Sequence, residues 1–417
     1  MSMIAVELKK IWTMKILAVI VVTCALFYVL GMHHHIRWYQ GDRYVSMSYF
    51  AHHLTRNYGT TLSPEDFEDF LHYREGIVAA LDLFIHGHPT FVGAGIYNFE
   101  DYENFRRDLG DIYFYHTPEE RQLWIDVALA WGTTVRTEIN GETVDISSPY
   151  ETPMAHTKMF FFNNLVGIYE ANVLGMREWG TWIDSFIDRH PLTQREQQRL
   201  EDIRDSGELL GIMAQATMRT TWEYWRDLAT LAILVTLILV SSLVTRDHAS
   251  KIHWLQYTSK TGRAVLTKQL LAIIISAVLV TTGVIVVFGG IFSRLGMWGL
   301  WHNGINSFMS TPFHWLSITY GQYILLLVGV VYVLAIAAGM IAFALSRFSQ
   351  NMVRLMFKVI PFFVVSQIFS RWVLSDFLGV YVGGNIFAQF AGVVGGFLLA
   401  TAIAVCIVYR EKRWEIQ

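Results

Sequence analysis

The apolar residues of this 417-residue chain gather into six long runs that are separated by polar stretches. The runs cover residues 16–31, 228–244, 269–292, 318–345, 359–373 and 386–409. A helix needs about 20 mainly apolar residues to cross a hydrocarbon core of about 30 Å. The pattern therefore predicts a mainly α-helical, polytopic membrane protein with six transmembrane helices. Five spans is the alternative, because the run at 359–373 is short and contains Pro361.

The first apolar run predicts a retained membrane anchor. A cleaved signal peptide has a shorter apolar region and a small-residue cleavage site, whereas three histidines at 33–35 follow this run closely. Before it, residues 1–15 mix apolar side chains with one glutamate and several lysines. That mixture indicates a short helix on the cytoplasmic membrane surface; a disordered tail is the alternative.

Basic residues predict the orientation, because cytoplasmic loops of membrane proteins carry an excess of lysine and arginine. In the six-span arrangement, only Arg294 and Arg371 fall in the short loops on one side. The opposite side carries Lys9, Lys10, Lys15, Arg246, Lys251, Lys260, Arg263, Lys268, Arg347, Arg354, Lys358, Arg410, Lys412 and Arg413. Both termini are therefore expected in the cytoplasm, and the long segment between the first two spans is expected outside.

The predicted organisation has seven segments. They are 1–15 (cytoplasmic interfacial helix), 16–32 (first span), 33–227 (extracytoplasmic domain), 228–245 (second span), 246–268 (cytoplasmic loop), 269–409 (third to sixth spans) and 410–417 (cytoplasmic tail). The 33–227 segment contains 16 basic and 30 acidic residues, a net charge of −14, against +11 for the remainder. An acidic outer domain disfavours nucleic acid and anionic membranes as partners there.

Both cysteines, Cys24 and Cys406, lie in apolar runs, so no disulfide can brace the outer domain. A domain of about 195 residues can bury an adequate core without one. A cysteine-free exported domain suits a bacterial plasma membrane.

Capping signals predict that the outer domain is mostly helical. Ser63 is a capping residue that precedes Pro64, which suits the first position of a helix, and Thr117 and Thr193 each stand three residues before a glutamate, the spacing of a capping box. Asn140-Gly141 predicts a tight β-hairpin within 135–146.

Two further expectations concern the ends of the spans. The helix that begins at Thr193 is expected to run through Trp222 and Trp225 into the second span. The apolar connection at 375–385 is expected to dip back into the membrane as a short re-entrant element.

Several motif absences exclude classes of function. The sequence has no P-loop, no His-Glu-x-x-His and no Gly-x-Ser-x-Gly. The spans contain almost no carboxylates of the kind that ion-driven pumps use. We therefore expect neither an enzyme nor a cofactor in this chain, and a membrane body without its own energy source.

Histidine is the exception to this lack of chemistry. Clustered histidines can bind zinc or copper, or titrate near pH 6. Weak metal candidates are His33, His34, His35, His86 and His88. Adjacent histidines on a helix point in different directions, so a structural role at the end of the first span is the favoured interpretation, and no metal site is assigned.

The loop between the second and third spans is the most informative stretch. This short, amphipathic stretch contains Asp247, then residues 255–258, then Gly262-Arg263 and finally Lys268. This order resembles the ABC-2-type permeases, the membrane subunits of ATP-driven exporters. In that family an acidic residue, a coupling helix, a small-residue turn and a lysine occur in this order, but Ser250-Lys251 and Lys260 depart from its usual residues.

The resemblance implies a permease subunit that moves an amphipathic, peptide or lipid-like substrate. It further implies two separate ABC ATPase subunits that bind ATP and magnesium, and a homodimer or a pairing with a second permease. The implied ATPase-coupling residues are Asp247, Trp254, Leu255, Tyr257, Arg263 and Lys268. Residues 347–358 are a candidate second contact, and membrane lipid is the remaining partner.

Two other classes stay open from the residues alone. One is a membrane-anchored receptor or sensor whose acidic, histidine-rich outer domain binds a ligand or a metal. The other is a membrane-embedded enzyme, for which the sequence offers no set of acid, base and nucleophile beside the spans.

Overall fold

The computed structural model describes residues 3–42, 46–109, 117–139, 142–175, 182–249, 260–311, 313–349, 351–380 and 386–413. The chain divides into two compact units. The first, which we call the membrane unit, combines Met1–Gly41 with Phe186–Gln417, and the second, the inserted unit, is Asp42–Ser185.

The described chain is mostly helical, as predicted. The helices are Met3–Ile11 (α1), Met14–Phe27 (α2), His33–Asp42 (α3), Met47–Tyr58 (α4), Pro64–Leu71 (α5), Tyr73–Gly87 (α6), Pro89–Gly93 (α7), Phe99–Leu109 (α8), Pro118–Ala130 (α9), Met154–Asn172 (α10), Trp182–Arg189 (α11), Gln194–Asp205 (α12), Gln215–Ala249 (α13), Lys260–Val284 (α14), Gly290–Ser293 (α15), Tyr320–Arg347 (α16), Met352–Leu374 (α17) and Ile386–Arg413 (α18). The π turns are Tyr28–Met32 and Ile285–Gly289, and the 3₁₀ turns are Glu208–Leu210 and Met297–Leu300. The strands are Val135–Ile139 (β1) and Glu142–Ile146 (β2).

Among the described residues, five helical stretches are long and apolar enough to cross a membrane. They are Met14–Gln40, Val265–Ser293, Tyr320–Arg347, Val353–Leu374 and Ala388–Arg410. The weakest predicted run forms one of them, and Pro361 lies inside its helix α17. These helices indicate a membrane-embedded, multi-pass protein. The predicted second span lies within α13, and its crossing of the membrane stays a prediction.

Helix α13 occupies the centre of the membrane unit. It packs against α2, α14, α16 and α17, and its residues from Leu228 to Val240 are almost all buried. A helix that is apolar on all sides needs neighbours on all sides. By contrast, α2 leaves Val21, Val22 and Leu26 more than half exposed, as expected for an outer helix of a bundle.

The expectation of an unbroken helix from Thr193 into the second span is wrong. Helix α12 ends at Asp205, and α13 begins only at Gln215. Gly207 adopts a φ of 77°, in the left-handed region that favours glycine. Gly211 then lies so close to the backbone carbonyl of Asn306 that a side chain there would collide with it. From Gln215 onward the helix does continue through Trp222 and Trp225, as predicted.

The inserted unit contains the predicted hairpin and two of the predicted caps. Ser63 and Thr117 both form complete capping boxes, as does Thr193 in the membrane unit. Strands β1 and β2 pair antiparallel with Ile139 opposite Glu142; Asn140 and Gly141 themselves lie outside the described residues.

Aromatic side chains fill the core of the inserted unit. Phe50, Phe70 and Phe162 are buried, with ring centroids 5.2 to 6.3 Å apart. Trp131 is also buried and stacks on His156 at 4.5 Å. Burial lowers the pKa of His156, and the nearby charge of Arg106 lowers it further. The unit is thus held by ring packing without a disulfide.

Candidate coupling region, polar clusters and cavities

The structure describes part of the loop that resembles a coupling segment. Asp247 lies in the last turns of α13, which ends at Ala249. Arg263 and Lys268 lie in α14, so residues 260–268, expected in the loop, are helical. Trp254, Leu255 and Tyr257 fall in 250–259, outside the described residues. The candidate loop is therefore preceded directly by helix α13 and followed directly by helix α14.

Helix α1 is fastened to the start of α14. The amide of Gln269, one residue after Lys268, donates a 3.3 Å hydrogen bond to the carboxylate of Glu7. The Lys10 ammonium binds the other oxygen of Glu7 at 2.8 Å. Glu7 and Gln269 are both buried. Residues 1–15 thus include a helix, as predicted, and Glu7 and Ile11 of this helix are buried against protein.

Two further contacts extend this junction. The indole N–H of Trp12 donates to the Ser276 hydroxyl at 3.1 Å, farther along α14. The guanidinium of Arg347, the last residue of α16, donates to the side-chain oxygen of Gln269. Gln269, in the first half of α14, consequently joins this helix to Glu7 of α1 and to Arg347 at the end of α16.

The predicted second contact region, 347–358, carries basic side chains close to the exposed ring of Phe348. Phe348 follows α16 and is 51% exposed. The Arg410 guanidinium lies 5.0 Å from the centre of its ring, and the Lys358 ammonium donates to its backbone carbonyl at 2.6 Å. The ends of α16, α17 and α18 therefore meet at a cationic surface with an apolar centre.

The histidines at 33–35 do not act alike. His33 and His34 are exposed, whereas His35 is buried. Its Nε2 lies 2.9 Å from the Asp227 carboxylate and its Nδ1 lies 3.4 Å from that of Glu223. Both carboxylates belong to α13, so His35 links the first long helix to the central one. The sequence could not name these partners, which lie almost 190 residues away.

The other metal candidates lie in the inserted unit. His86 is exposed in the last turn of α6, and His88 follows that helix with its ring 4.9 Å from the Tyr150 ring. Among the described residues, no group of three histidine, cysteine or acidic side chains is arranged to hold a metal ion.

A cluster of polar contacts, which we call the polar staple, connects Arg199 of α12 and Glu208 with the 303–319 segment. The sequence analysis did not predict it. Arg199 and Glu208 form two hydrogen bonds of 3.0 and 2.9 Å. Glu208 also accepts from the Asn306 amide at 2.5 Å and from the Ser317 hydroxyl at 2.7 Å. Burial alone would raise the pKa of Glu208, but these donors and the charge of Arg199 outweigh it and leave the pKa lowered.

His314 lies behind this staple. Its backbone N–H donates to the Asn306 side-chain oxygen at 2.7 Å, and its backbone carbonyl accepts from the Arg199 guanidinium at 3.3 Å. The ring is buried, and neither ring nitrogen hydrogen-bonds to a described protein group. The Asp376 carboxylate lies 3.9 Å from Nε2. The buried Tyr323 ring is the neighbour on α16, with its centroid 5.8 Å from that of His314.

Asp376 reaches His314 through an unusual turn. It follows α17, at the start of the connection that we expected to be re-entrant, and residues 381–385 of that connection lie outside the described residues. Asp376 and Leu378 adopt φ values of 46° and 69°, which are uncommon for residues with a side chain and mark local strain. The backbone of His314 pairs with that of Gly379 in an isolated bridge.

The electrostatics of this pair favour its neutral form. Burial lowers the pKa of His314 to about 4, and the charge of Arg199 acts in the same direction. Burial raises the pKa of Asp376 to about 7. Near pH 6 the acid is thus mainly protonated and the imidazole mainly neutral.

The described part of the membrane unit includes two apolar cavities. One of about 260 Å³ lies among α13, α16, α17 and α18, and another of about 410 Å³ lies beside the π turn at Ile285–Gly289. Both are lined almost entirely by apolar side chains, which suits the hydrocarbon part of an amphipathic molecule.

These features define the class: a mostly helical, multi-pass membrane protein with an inserted helical unit. Comparisons with known protein families, with curated proteins and with solved structures find no match to this chain.

Proposed function

We propose that this chain is the membrane-spanning permease subunit of an ATP-driven exporter that moves an amphipathic, peptide or lipid-like substrate. Two copies, or one copy and a second permease, would work in the plasma membrane with separate ATPase subunits. The termini would face the cytoplasm and the inserted unit would lie outside. The proposal rests on the resemblance of the loop around Asp247 to Lys268, and on the junction built next to it.

The observation that carries the proposal is the hydrogen bond between Glu7 and Gln269. A force on the candidate coupling loop would act directly on the start of α14. Because Gln269 also binds Arg347, α14 cannot shift alone without breaking buried polar contacts. Leaving such groups unpaired costs about 1–3 kcal/mol each. Movement of the loop would therefore be shared with α1 and α16.

The test is co-expression with a P-loop ATPase encoded beside this chain, followed by measurement of ATPase binding and turnover. Replacing Trp254 and Leu255 with aspartate should detach the ATPase, because apolar anchors dominate such interfaces. Gln269→Leu should leave the ATPase bound and reduce only its stimulated turnover. The two variants should thus fail at different steps.

The matched controls are Leu83→Asp with Val92→Asp, two exposed apolar residues of the inserted unit, and Gln197→Leu, an exposed glutamine of α12. Neither should alter binding or turnover. Unchanged association in the Trp254 and Leu255 variant would contradict the coupling assignment. A receptor that binds a ligand or metal through its outer domain, the alternative function, would leave ATPase turnover unstimulated throughout.

A further inference from the structure

The larger of the two cavities in the membrane unit is lined by residues of α13, α15 and α16 and of the turns next to α15. Its volume of about 410 Å³ falls within the range of about 300–1,000 Å³ that ligand pockets occupy. The principal lining side chains are Trp225, Phe292, Trp298, Trp301, Ile324 and Leu325. The Tyr320 hydroxyl, which also borders it, is engaged by Thr221 at 2.8 Å, so the cavity offers almost no free polar group.

A π turn and Gly290 border the cavity on one side. The Ile285–Gly289 turn widens the helix, as π turns at functional sites often do. The backbone carbonyl of Phe288 accepts a 2.8 Å hydrogen bond from Tyr224, which stabilises the widened turn. A Cβ added at Gly290 would meet no atom within 4 Å, so the missing side chain leaves open space.

Stacked tryptophans form one wall. The Trp301 ring lies directly on Gly321, where any side chain would collide with it. Trp298 packs on Trp301 with ring centroids 4.8 Å apart and remains 58% exposed. Both residues come just after the stretch Val265–Ser293, which is apolar enough to cross a membrane. Tryptophans at that position are typical of the membrane–water interface.

One positively charged side chain lies at the same end of the apolar stretch Val265–Ser293 as these tryptophans. Arg294 follows Ser293, which lines the cavity, and its side chain is exposed. It is the only lysine, arginine or acidic residue between Gly290 and Thr319. Within the described part of the chain, its guanidinium makes no ion pair or side-chain hydrogen bond. A basic side chain at the membrane surface attracts anionic lipid headgroups by about 1 kcal/mol.

We propose that this cavity binds one acyl chain of an anionic phospholipid, whose phosphate-bearing headgroup pairs with Arg294. The exposed rim residues Val286 and Leu325 belong to stretches apolar enough to span, so lipid tails are the molecules at its mouth. A peptide would bury amide groups in a cavity that cannot bond to them, which is costly. The site does not depend on the transport function proposed above.

The test is native mass spectrometry of the full chain with dioleoyl phosphatidylglycerol and with dioleoyl phosphatidylcholine, the zwitterionic reference. The parent should bind phosphatidylglycerol about fivefold more tightly, from one basic contact at the surface. Arg294→Gln should abolish that preference and keep the affinity for phosphatidylcholine. Gly290→Leu adds an apolar side chain to the cavity lining at a position where a Cβ meets no atom within 4 Å, and it should weaken both lipids at least about tenfold, since each buried CH₂ contributes strongly.

Gly283→Leu is the matched control. Gly283 lies in the same helical stretch, a Cβ there also meets nothing within 4 Å, and it does not line the cavity. This variant should bind both lipids as the parent does. Equal binding by the Gly290 variant and the parent would overturn the site. Equal weakening by the two leucine variants would overturn it too, because the lipid would then coat the helix surface. Preference that survives in Arg294→Gln would overturn the headgroup contact.

Discussion

Two buried histidines in the membrane unit have opposite surroundings. His35 lies between the carboxylates of Asp227 and Glu223, at 2.9 and 3.4 Å. His314 has its backbone fixed on both sides, yet neither ring nitrogen bonds to a described protein group. Buried polar groups are normally satisfied. His35 therefore joins two helices through its ring nitrogens. His314 is positioned by a frame of polar contacts to its backbone, and its ring nitrogens form no hydrogen bond to a described protein group.

That frame is the polar staple of Arg199 and Glu208, and breaking it should have the largest effect. Glu208→Ala leaves the mostly buried Arg199 without its partner, which costs about 3 kcal/mol or more. The measurement is the free energy of unfolding of the detergent-solubilised protein. Arg199 also donates to the His314 carbonyl. The backbone of His314 should therefore be held less firmly in the same variant, whereas the contacts of His35 should stay as they are.

Arg136 and Asp145 of the hairpin give the matched control. They form a similar two-bond pair, but their side chains are 69% and 52% exposed. Solvent screens such exposed pairs, so they contribute little, and Asp145→Ala should change stability far less than Glu208→Ala. A Glu208 variant as stable as the Asp145 variant would contradict the structural role of the staple.

The pair His314 and Asp376 should produce opposite pH dependences when one member is removed. The lowered pKa of His314 gives stability that is present above about pH 6.5 and is lost as the pH falls towards 4. The raised pKa of Asp376 gives stability that is present below about pH 4 and is lost as the pH rises through 7. In the parent these two contributions oppose each other between about pH 4 and 6.5.

Asp376→Asn removes the contribution of the acid and should therefore add a positive slope of stability against pH, relative to the parent, over about pH 4 to 7. His314→Gln removes the contribution of the imidazole and should add a negative slope over about pH 4 to 6.5. Each slope is of the order of 1 kcal/mol per pH unit, measured as the difference in unfolding free energy from the parent. The double variant should lose both slopes. Two single variants with slopes of the same sign would refute the assignment of a neutral pair.

His35 and His34 provide the smallest and most local contrast. His35→Ala removes the bridge to two carboxylates of α13 and should cost about 1–3 kcal/mol of stability. His34→Ala removes an exposed ring that packs on His35 with ring centroids 3.7 Å apart, and it should cost less than His35→Ala because the two bonds from His35 to the carboxylates remain. Thermal unfolding midpoints of the two variants decide between them, and equal midpoints would mean that the bridge does not fasten the helices.

Local signals were sufficient for much of the fold. The three capping boxes depend on residues three positions apart, and the hairpin depends on a two-residue turn, so neighbouring letters contain the information. The break after α12 was missed because Gly207 and Gly211 cost a helix only modestly. The deciding contact is the close approach of Gly211 to Asn306, which is set by tertiary packing.

The polar clusters could not be predicted from the sequence either, because they too are set by tertiary packing. His314 and Asp376 come from different connections between helices, and no periodicity relates them. The three histidines at 33–35 look equivalent as letters, and only the position of α13 distinguishes the buried one. The loop residues Trp254, Leu255 and Tyr257 stay predictions, whereas the Glu7 and Gln269 junction beside them is a structural finding.

The π turn at Ile285–Gly289 has a consequence for changes in chain length. It holds one residue more than an α-helical turn, and each residue rotates a helix by about 100°. Deleting one residue there would restore a regular helix and swing Phe292 away from the Tyr224 ring, which it now meets at 4.9 Å. A second π turn, Tyr28–Met32, lies alongside, with Tyr28 and Phe288 rings 5.8 Å apart. Single-residue deletions in this pair of helices should therefore do more harm than most substitutions.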